Sequence, residues 1–452
     1  MWDSAGGWHV GLLGIQPFCL TIICLTSAVA VADVRRAEPS ALANLNIRHH
    51  LIPGLKLNAK SSKALPNKAT APAPQSAATA VQNQRPAVPP PPPVRRSSSV
   101  SWQAACREPV RVSFFGDYWV APNSPAADMK HSLLDNLRPL LGWADFNVVN
   151  FEGSITNAKK RAFPAFPFAL KQASDSLKWL SSAGVNHLTR ANNHAMDFGW
   201  EGAEETSAAI KAASMKFSGI GSDLKSALKP MWLEKNGMKI AVVSVTTTYP
   251  AEAWAADKKP GVAFPRADAL RKTIQGVRDE ADFVVVAFHW GEELKPTLRD
   301  HQPQHAKVAL DAGADLVVGH HAHVAQKIDV EPENGMIVYG LGNFIFTSLS
   351  RDAKFGLGSH FEFCRADVPD AEGATHHFKM VLTPLLTYNR STGYRSRMMN
   401  LGEFLPFARE YVKKGYFSPE LEFFVPGEDR VKTLGEWLQP REQASKEGRE
   451  VR

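Results

Sequence analysis

Aspartate, glutamate, asparagine and histidine arrive in this chain at the ends of five apolar runs, and together they form the donor set of a metal site. Residues 110–115 run into Gly116-Asp117, residues 146–151 into Glu152, and residues 185–191 into Asn192-Asn193-His194. Residues 283–288 end at His289-Trp290-Gly291, and residues 316–318 at Gly319-His320-His321-Ala322-His323. Oxygen and imidazole donors without cysteine suit one or two hydrolytic divalent ions (Mn²⁺, Fe or Zn²⁺) better than a thiolate-bound structural zinc. Taken singly, the clusters have plainer readings. Gly116-Asp117 is an ordinary turn, Asn192-Asn193 a side chain–backbone turn, and His289 a satisfied core histidine. Taken jointly, the plain readings would have to hold independently at every strand end. Asp197 follows His194 by three residues, and a carboxylate there can orient the imidazole and raise its basicity.

Positioning such groups requires the runs to be strands that end at one edge. Short Val/Ile/Phe runs bounded by glycine and polar residues read as buried strands, and ligands in open α/β sheets sit beyond strand carboxyl ends. Further strands are expected over residues 238–245, 336–341, 359–364 and 378–386. Helices are expected over 175–183, 199–213, 267–280 and 302–312. The first carries Leu177, Leu180 and Ala183 at helical spacing and stops at Gly184. Strand–helix alternation followed by strand-rich sequence implies a mixed sheet, or two packed sheets, covered by helices. After about residue 390 the pattern thins, with a helix over 403–414 and a charged, frayed end over 439–452.

The formal charge of +7 is unevenly placed. Residues 33–105 hold ten Lys/Arg against two Asp/Glu, and residues 1–32 hold only Asp3, so the chain from residue 106 onward is close to neutral. Basic residues gathered in a tether rather than on a folded face argue against a nucleic-acid partner. Residues 33–107 are rich in Ala, Pro, Ser and Lys with an unbroken proline run at 89–93, the composition of a disordered linker. Residues 10–32 are uncharged and end in Ala28-Val29-Ala30-Val31-Ala32, which reads residues 1–32 as a secretory signal. The run is also long enough to span a bilayer, so a retained signal anchor stays open. Either way the body is exported, to a periplasmic or other extracytoplasmic location. Cys19 and Cys24 fall within the apolar run; Cys106 and Cys364 are read as buried free thiols, with pairing as the alternative. No Gly-rich Lys-Ser/Thr nucleotide loop occurs, so polymerisation driven by this chain is not expected.

The order of the clusters resembles the capsule-biosynthesis CapA family of poly-γ-glutamate synthesis type, a branch of the calcineurin-like metallophosphatase superfamily. The resemblance covers roughly residues 110–346. It rests on Gly116-Asp117, Asn150-Phe151-Glu152, Ala191-Asn-Asn-His194 with Asp197 and Gly199, His289-Trp290-Gly291, Gly319-His320-His321-Ala322-His323 and Tyr339-Gly-Leu-Gly-Asn-Phe344. It implies a four-layer α/β/β/α sandwich with two mixed sheets, over a domain of residues 108–390 followed by a partly helical extension of 391–452. It further implies Asp117 on a first metal, Glu152 bridging two metals, Asn193, His289 and His321 on the second, and His323 on the first. His194, steadied by Asp197, would protonate a leaving group. The superfamily usually places a histidine two residues after the first aspartate, whereas this chain has Trp119, leaving the first site only Asp117, Glu152 and His323. The implied function is metal-assisted hydrolysis of a phosphoester or related bond in the making or processing of an extracellular anionic polymer, beside membrane-bound synthesis machinery. The alternative is a non-catalytic envelope accessory protein that binds the polymer in the same cleft.

Overall fold

Two β-sheets packed face to face carry every one of these clusters to a common edge. A computed structural model describes residue 106 and residues 108–331, 335–366, 375–428 and 430–439. The expected signal or anchor, nearly all of the linker and residues 440–452 lie outside the described residues. Among the described residues no helix is long and apolar enough to cross a membrane.

The first sheet runs, neighbour to neighbour, Lys432–Thr433, Glu422–Phe423, His376–Leu386, Phe355–Arg365, Val110–Trp119, Phe146–Phe151, His187–Thr189 and Lys216–Ser218. Asn343–Phe346 pairs with the end of Val110–Trp119, and Arg397–Met398 with the end of His376–Leu386. The second sheet runs Ile328–Glu331, Gly335–Val338, Leu316–His320, Phe283–His289, Met238–Thr246 and Met231–Lys235. Both sheets mix parallel and antiparallel pairs.

Packing separates four layers. Val112 and Phe114 of the first sheet meet Val242, Val285 and Val318 of the second in an apolar core between the sheets, with Phe283 against Phe363 at 4.8 Å. Alternate residues on the same strands face outward, as the two-residue period of a strand requires. Phe115, Val149 and Leu188 pack under the helices Ser176–Ser182 and Gly199–Ala212. Val243, Val286 and Val317 pack under Ala267–Arg278 and His301–Asp311. In Ala267–Arg278, Leu270 and Ile274 are one turn apart and buried, the apolar stripe that holds the helix down. The result is the α/β/β/α sandwich. A Phe283→Ala change, which empties the middle of the inter-sheet core, is expected to cost about 3–5 kcal/mol.

The helix Leu401–Lys413 begins at Asn400, whose side chain accepts from the Glu403 N–H while Glu403 bonds back to the Asn400 N–H. It buries Phe404, Phe407 and Tyr411 against the inter-sheet core, and the Tyr411 hydroxyl donates to the Ala325 carbonyl at 2.9 Å.

Two sequence readings change. Cys106 and Cys364 are not free thiols: they form a disulfide across 258 residues, joining the segment before the first strand to Phe355–Arg365. The strand expected over 336–341 ends at Val338, and the chain then turns through Gly340 and Gly342 into Asn343–Phe346.

A candidate metal centre at the sheet edges

Parallel register is what gathers the site. Asp117 is level with Asn150 and with Asn343 on its neighbours, and His289 is level with His320 and with Thr246. Parallel strands send all their carboxyl ends to one edge, so donors far apart in sequence become neighbours. Two glycines permit the close approach. A Cβ on Gly116 would stand 1.8 Å from the Gly342 carbonyl oxygen, and one on Gly319 would stand 1.9 Å from that of Tyr339. Both glycines directly precede site segments, so any larger residue there would push the strand end out of line.

Where the two sheet edges meet, Asn193, His289 and His321 form a tight trio. His289 Nε2 is 2.8 Å from Asn193 Oδ1 and 3.1 Å from His321 Nδ1. Burial, with neighbouring histidines adding to it, holds His289 well below its usual pKa, and burial brings His321 down to about 3. Both imidazoles are therefore neutral, the form that donates a lone pair to a metal. Asp117 accepts from Asn150 Nδ2 at 2.8 Å and from the His321 backbone N–H at 3.2 Å. Asp117, Glu152 and His289 each present a donor atom within 4.8 Å of one another.

Glu152 is the least satisfied group in the cleft. It is fully buried, and neither carboxylate oxygen has a hydrogen-bond partner. The nearest imidazole nitrogens, on His194 and His289, are 3.9 Å away. Burial and the adjacent Asp117 charge push its pKa up to about 8. Buried polar groups almost always find partners, so a carboxylate with two bare oxygens facing imidazoles and a second carboxylate fits a cation. The residues present pass that test.

His323 sits on the other side of Asp117, its Nδ1 3.0 Å from Asp117 Oδ2 and 2.9 Å from Asn343 Oδ1. Burial opposes its charge, but the Asp117 hydrogen bond and the Glu152 and Asp117 charges prevail and raise its pKa to about 9. Asp117 is lowered in turn: burial works against ionisation, and His323 outweighs it. His321 and His323 both have positive φ, 86° and 56°, a region that non-glycine residues rarely occupy outside special sites.

His194 and Asp197 pair as expected, Nδ1 to Oδ2 at 2.7 Å. Burial lowers the His194 pKa, and the Asp197 hydrogen bond and charge more than reverse it, so the net shift is upward. Asp197 Oδ2 also accepts the Leu170 backbone N–H at 2.6 Å, which fixes the carboxylate behind the ring.

The structure thus brings all eight expected site residues into one cleft. His320, which the sequence groups with them, does not join: its ring nitrogens are each 3.3 Å from a main-chain oxygen, of Phe288 in one sheet and Phe115 in the other. Trp119 turns its indole N–H to the Lys171 carbonyl at 2.8 Å and packs against Phe346 at 5.1 Å. Three asparagines that lie in the sequence motifs were given no role there. Asn150 touches Asp117, His289, Thr189 and Asn192; Asn192 also accepts from the His194 N–H; Asn343 supports His323. Their one sequence signal is asparagine beside the carboxylates and histidines at three of the segment ends.

The sequence model described as bacterial capsule synthesis protein PGA_cap matches residues 111–348. The capsule biosynthesis protein CapA of Bacillus anthracis is 35% identical over 217 residues, 47% of this chain and 53% of that protein. The PGA biosynthesis protein CapA of Bacillus subtilis is 34% identical over 257 residues, 54% of this chain and 67% of that protein. The chain therefore spans about half to two thirds of the length of these curated relatives. A 5′-nucleotidase precursor from Thermus thermophilus aligns at 13% identity and TM-score 0.37, over 68% of this chain and 58% of that one.

Proposed function

The chain belongs to the bacterial capsule synthesis protein family, and we propose that it is an exported, metal-dependent hydrolase acting on an extracellular anionic polymer of poly-γ-glutamate type, or on a phosphoester formed during its assembly. The observation that carries this reading is Glu152, buried with both oxygens bare amid Asp117, His289 and His194. Asp117, Glu152, Asn193, His289 and His321 would hold one divalent ion (Mn²⁺, Fe or Zn²⁺), and His323 with Asp117 and Glu152 a second. Such an ion supplies Lewis acidity and lowers the pKa of water. His194, kept protonated by Asp197, stands on the Glu152 side of the cleft and donates its proton to the departing oxygen. Asp197, tied to the Leu170 N–H, keeps the ring aimed. The Cys106–Cys364 disulfide supports the extracytoplasmic location, since such bonds persist in oxidising compartments.

Trp119 favours a second reading, in which the cleft binds the polymer without cleaving it, because the indole supplies no ligand beside Asp117. Turnover separates the two. With Mn²⁺ or Zn²⁺ supplied, the full chain is expected to hydrolyse a bis-aryl phosphodiester or shorten poly-γ-glutamate. His194→Ala should lower kcat about 10²- to 10⁴-fold while keeping the metal. No hydrolysis of either substrate by the metal-loaded protein would favour the binding role, and unchanged kcat in His194→Ala would remove the proposed acid.

A further inference from the structure

Residues 155–170 contain none of the proposed metal donors and form no helix or strand, yet both their ends are rooted in the cleft. Ser154 pairs with Lys171 at the base, where the Ser154 and Gln172 N–H groups donate at 2.9 Å to the Leu170 and Ser154 carbonyls. The Gln172 side chain donates to the Glu152 carbonyl at 2.8 Å. Leu170 and Ala162 give their N–H groups to Asp197, at 2.6 Å to Oδ2 and 2.8 Å to the carbonyl. The loop therefore leaves the cleft beside Glu152 and returns beside the partner of His194.

What the loop displays is unlike the rest of the folded body. Residues 157–171 hold Lys159, Lys160, Arg161 and Lys171 without one Asp or Glu, whereas the chain from residue 106 onward is close to neutral. None of the four is in an ion pair among the described residues. Lys159 and Lys160 are exposed, and Phe166 and Phe168 beside them are 41% and 71% exposed. The loop is nevertheless held in shape. Phe163 packs on the cluster of Ala195 and Met196, which directly follow His194. The Phe166 N–H donates to the Phe163 carbonyl at 3.1 Å, and the Arg161 guanidinium donates to the Phe166 carbonyl. Pro164 and Pro167 restrict the main chain further. Unpaired cations and apolar rings held in a fixed arrangement are preorganised for a ligand that is itself both charged and apolar.

We propose that residues 157–171 form a binding ridge for a polycarboxylate chain, holding it beside His194 while one of its linkages lies in the cleft. The proposal rests on the anionic-polymer reading above and adds the surface that grips the polymer outside the metal centre. Each γ-linked glutamate unit offers a carboxylate to the lysines and a short methylene run to the phenylalanine rings. Single exposed ion pairs are weak, so the grip comes from successive units engaging several cations at once. An anionic membrane surface suits the same residue types, but the roots at Glu152 and Asp197 put the loop on the rim of the cleft, which the substrate must cross.

Amine acetylation of the full chain, kept with chelator and read lysine by lysine by peptide mass spectrometry, tests the ridge without turnover and apart from the basic residues 33–105. Excess poly-γ-glutamate is expected to slow acetylation of Lys159 and Lys160 about 2- to 5-fold, the weight of an exposed ion pair, and to leave the exposed Lys272 and Lys413 unchanged. No slowing at Lys159 and Lys160, or equal slowing at Lys272 and Lys413, overturns the inference and leaves the metal centre standing. Slowing by phosphatidylglycerol vesicles but not by the polymer overturns it in favour of a membrane contact. Slowing by the polymer in a protein that hydrolyses nothing once metal is restored keeps the ridge and sinks only the hydrolase reading.

Discussion

The His289 side and the His323 side of the cleft share Asp117 and Glu152 but differ in how far the protein satisfies itself. On the His289 side, the neutral His321 imidazole and the Asn193 amide oxygen crowd to within 2.8–3.1 Å of the neutral His289 Nε2. On the His323 side, a protonated imidazole already bonds to Asp117 and Asn343, its ring lies 4.5 Å from that of Phe346, and Phe346 packs on Trp119. The first arrangement is short of a cation; the second contains one of its own. Preorganised ligands bind without rearrangement, so the His289 side is expected to hold its ion tightly and the His323 side weakly.

Acid is the strongest perturbation, and it acts on the scaffold as well as on the buried imidazoles of the cleft. His360 is buried on Phe355–Arg365 between Ser113 and Thr383, and burial lowers its pKa to about 4. The native state keeps this ring neutral while the unfolded chain protonates it at its ordinary 6.5, so the neutral ring's contribution is full above pH 6.5. It is lost as pH falls through about 4, on the order of 3 kcal/mol in all. Denaturant titrations from pH 7 to 4 should show this loss together with those of the other buried histidines, and His360→Gln should reduce it by the His360 share. An ion lost above pH 6.5 then reports the cleft and not unfolding.

The Asn150 amide bridges Asp117 and His289. Its replacement by alanine should weaken ion binding on the His289 side about 10- to 100-fold, read by competition with a coloured chelator. Equal affinity would show that the ring and carboxylate orient themselves without it. The smallest effect is expected from Trp119→His, which adds a donor beside Asp117 and frees the Lys171 carbonyl. A gain of about 10-fold in affinity for the second ion alone would locate the asymmetry at this residue; tighter binding of both ions would place it elsewhere.

Much of the fold was legible because strand and helix periods are local. Residues 110–115, 146–151 and 283–288 fall inside strands, and 267–280 and 302–312 match helices to within two residues at each end. What sequence could not give depends on register. Asn343 becomes a partner of His323 because Asn343–Phe346 lies parallel to the end of Val110–Trp119, a pairing between segments more than two hundred residues apart. The Cys106–Cys364 bond has the same origin, for only the Val110–Trp119 and Phe355–Arg365 pairing brings those ends together. His320 looked like part of the ligand cluster because it is contiguous with it. The strand reaches as far as His320, so its ring is held between the main chains of the two sheets. Only past it does the left-handed backbone at His321 and His323 turn side chains into the cleft.

The metal centre itself is tested most directly by a crystal of the full chain soaked in Mn²⁺ or Zn²⁺, with anomalous scattering used to place the ion. The expected peak lies about 2.0–2.3 Å from donor atoms of Asp117, Glu152, Asn193, His289 and His321, and it disappears in His321→Ala. A saturated crystal with no peak among these residues, or with ions bound only elsewhere, would contradict it.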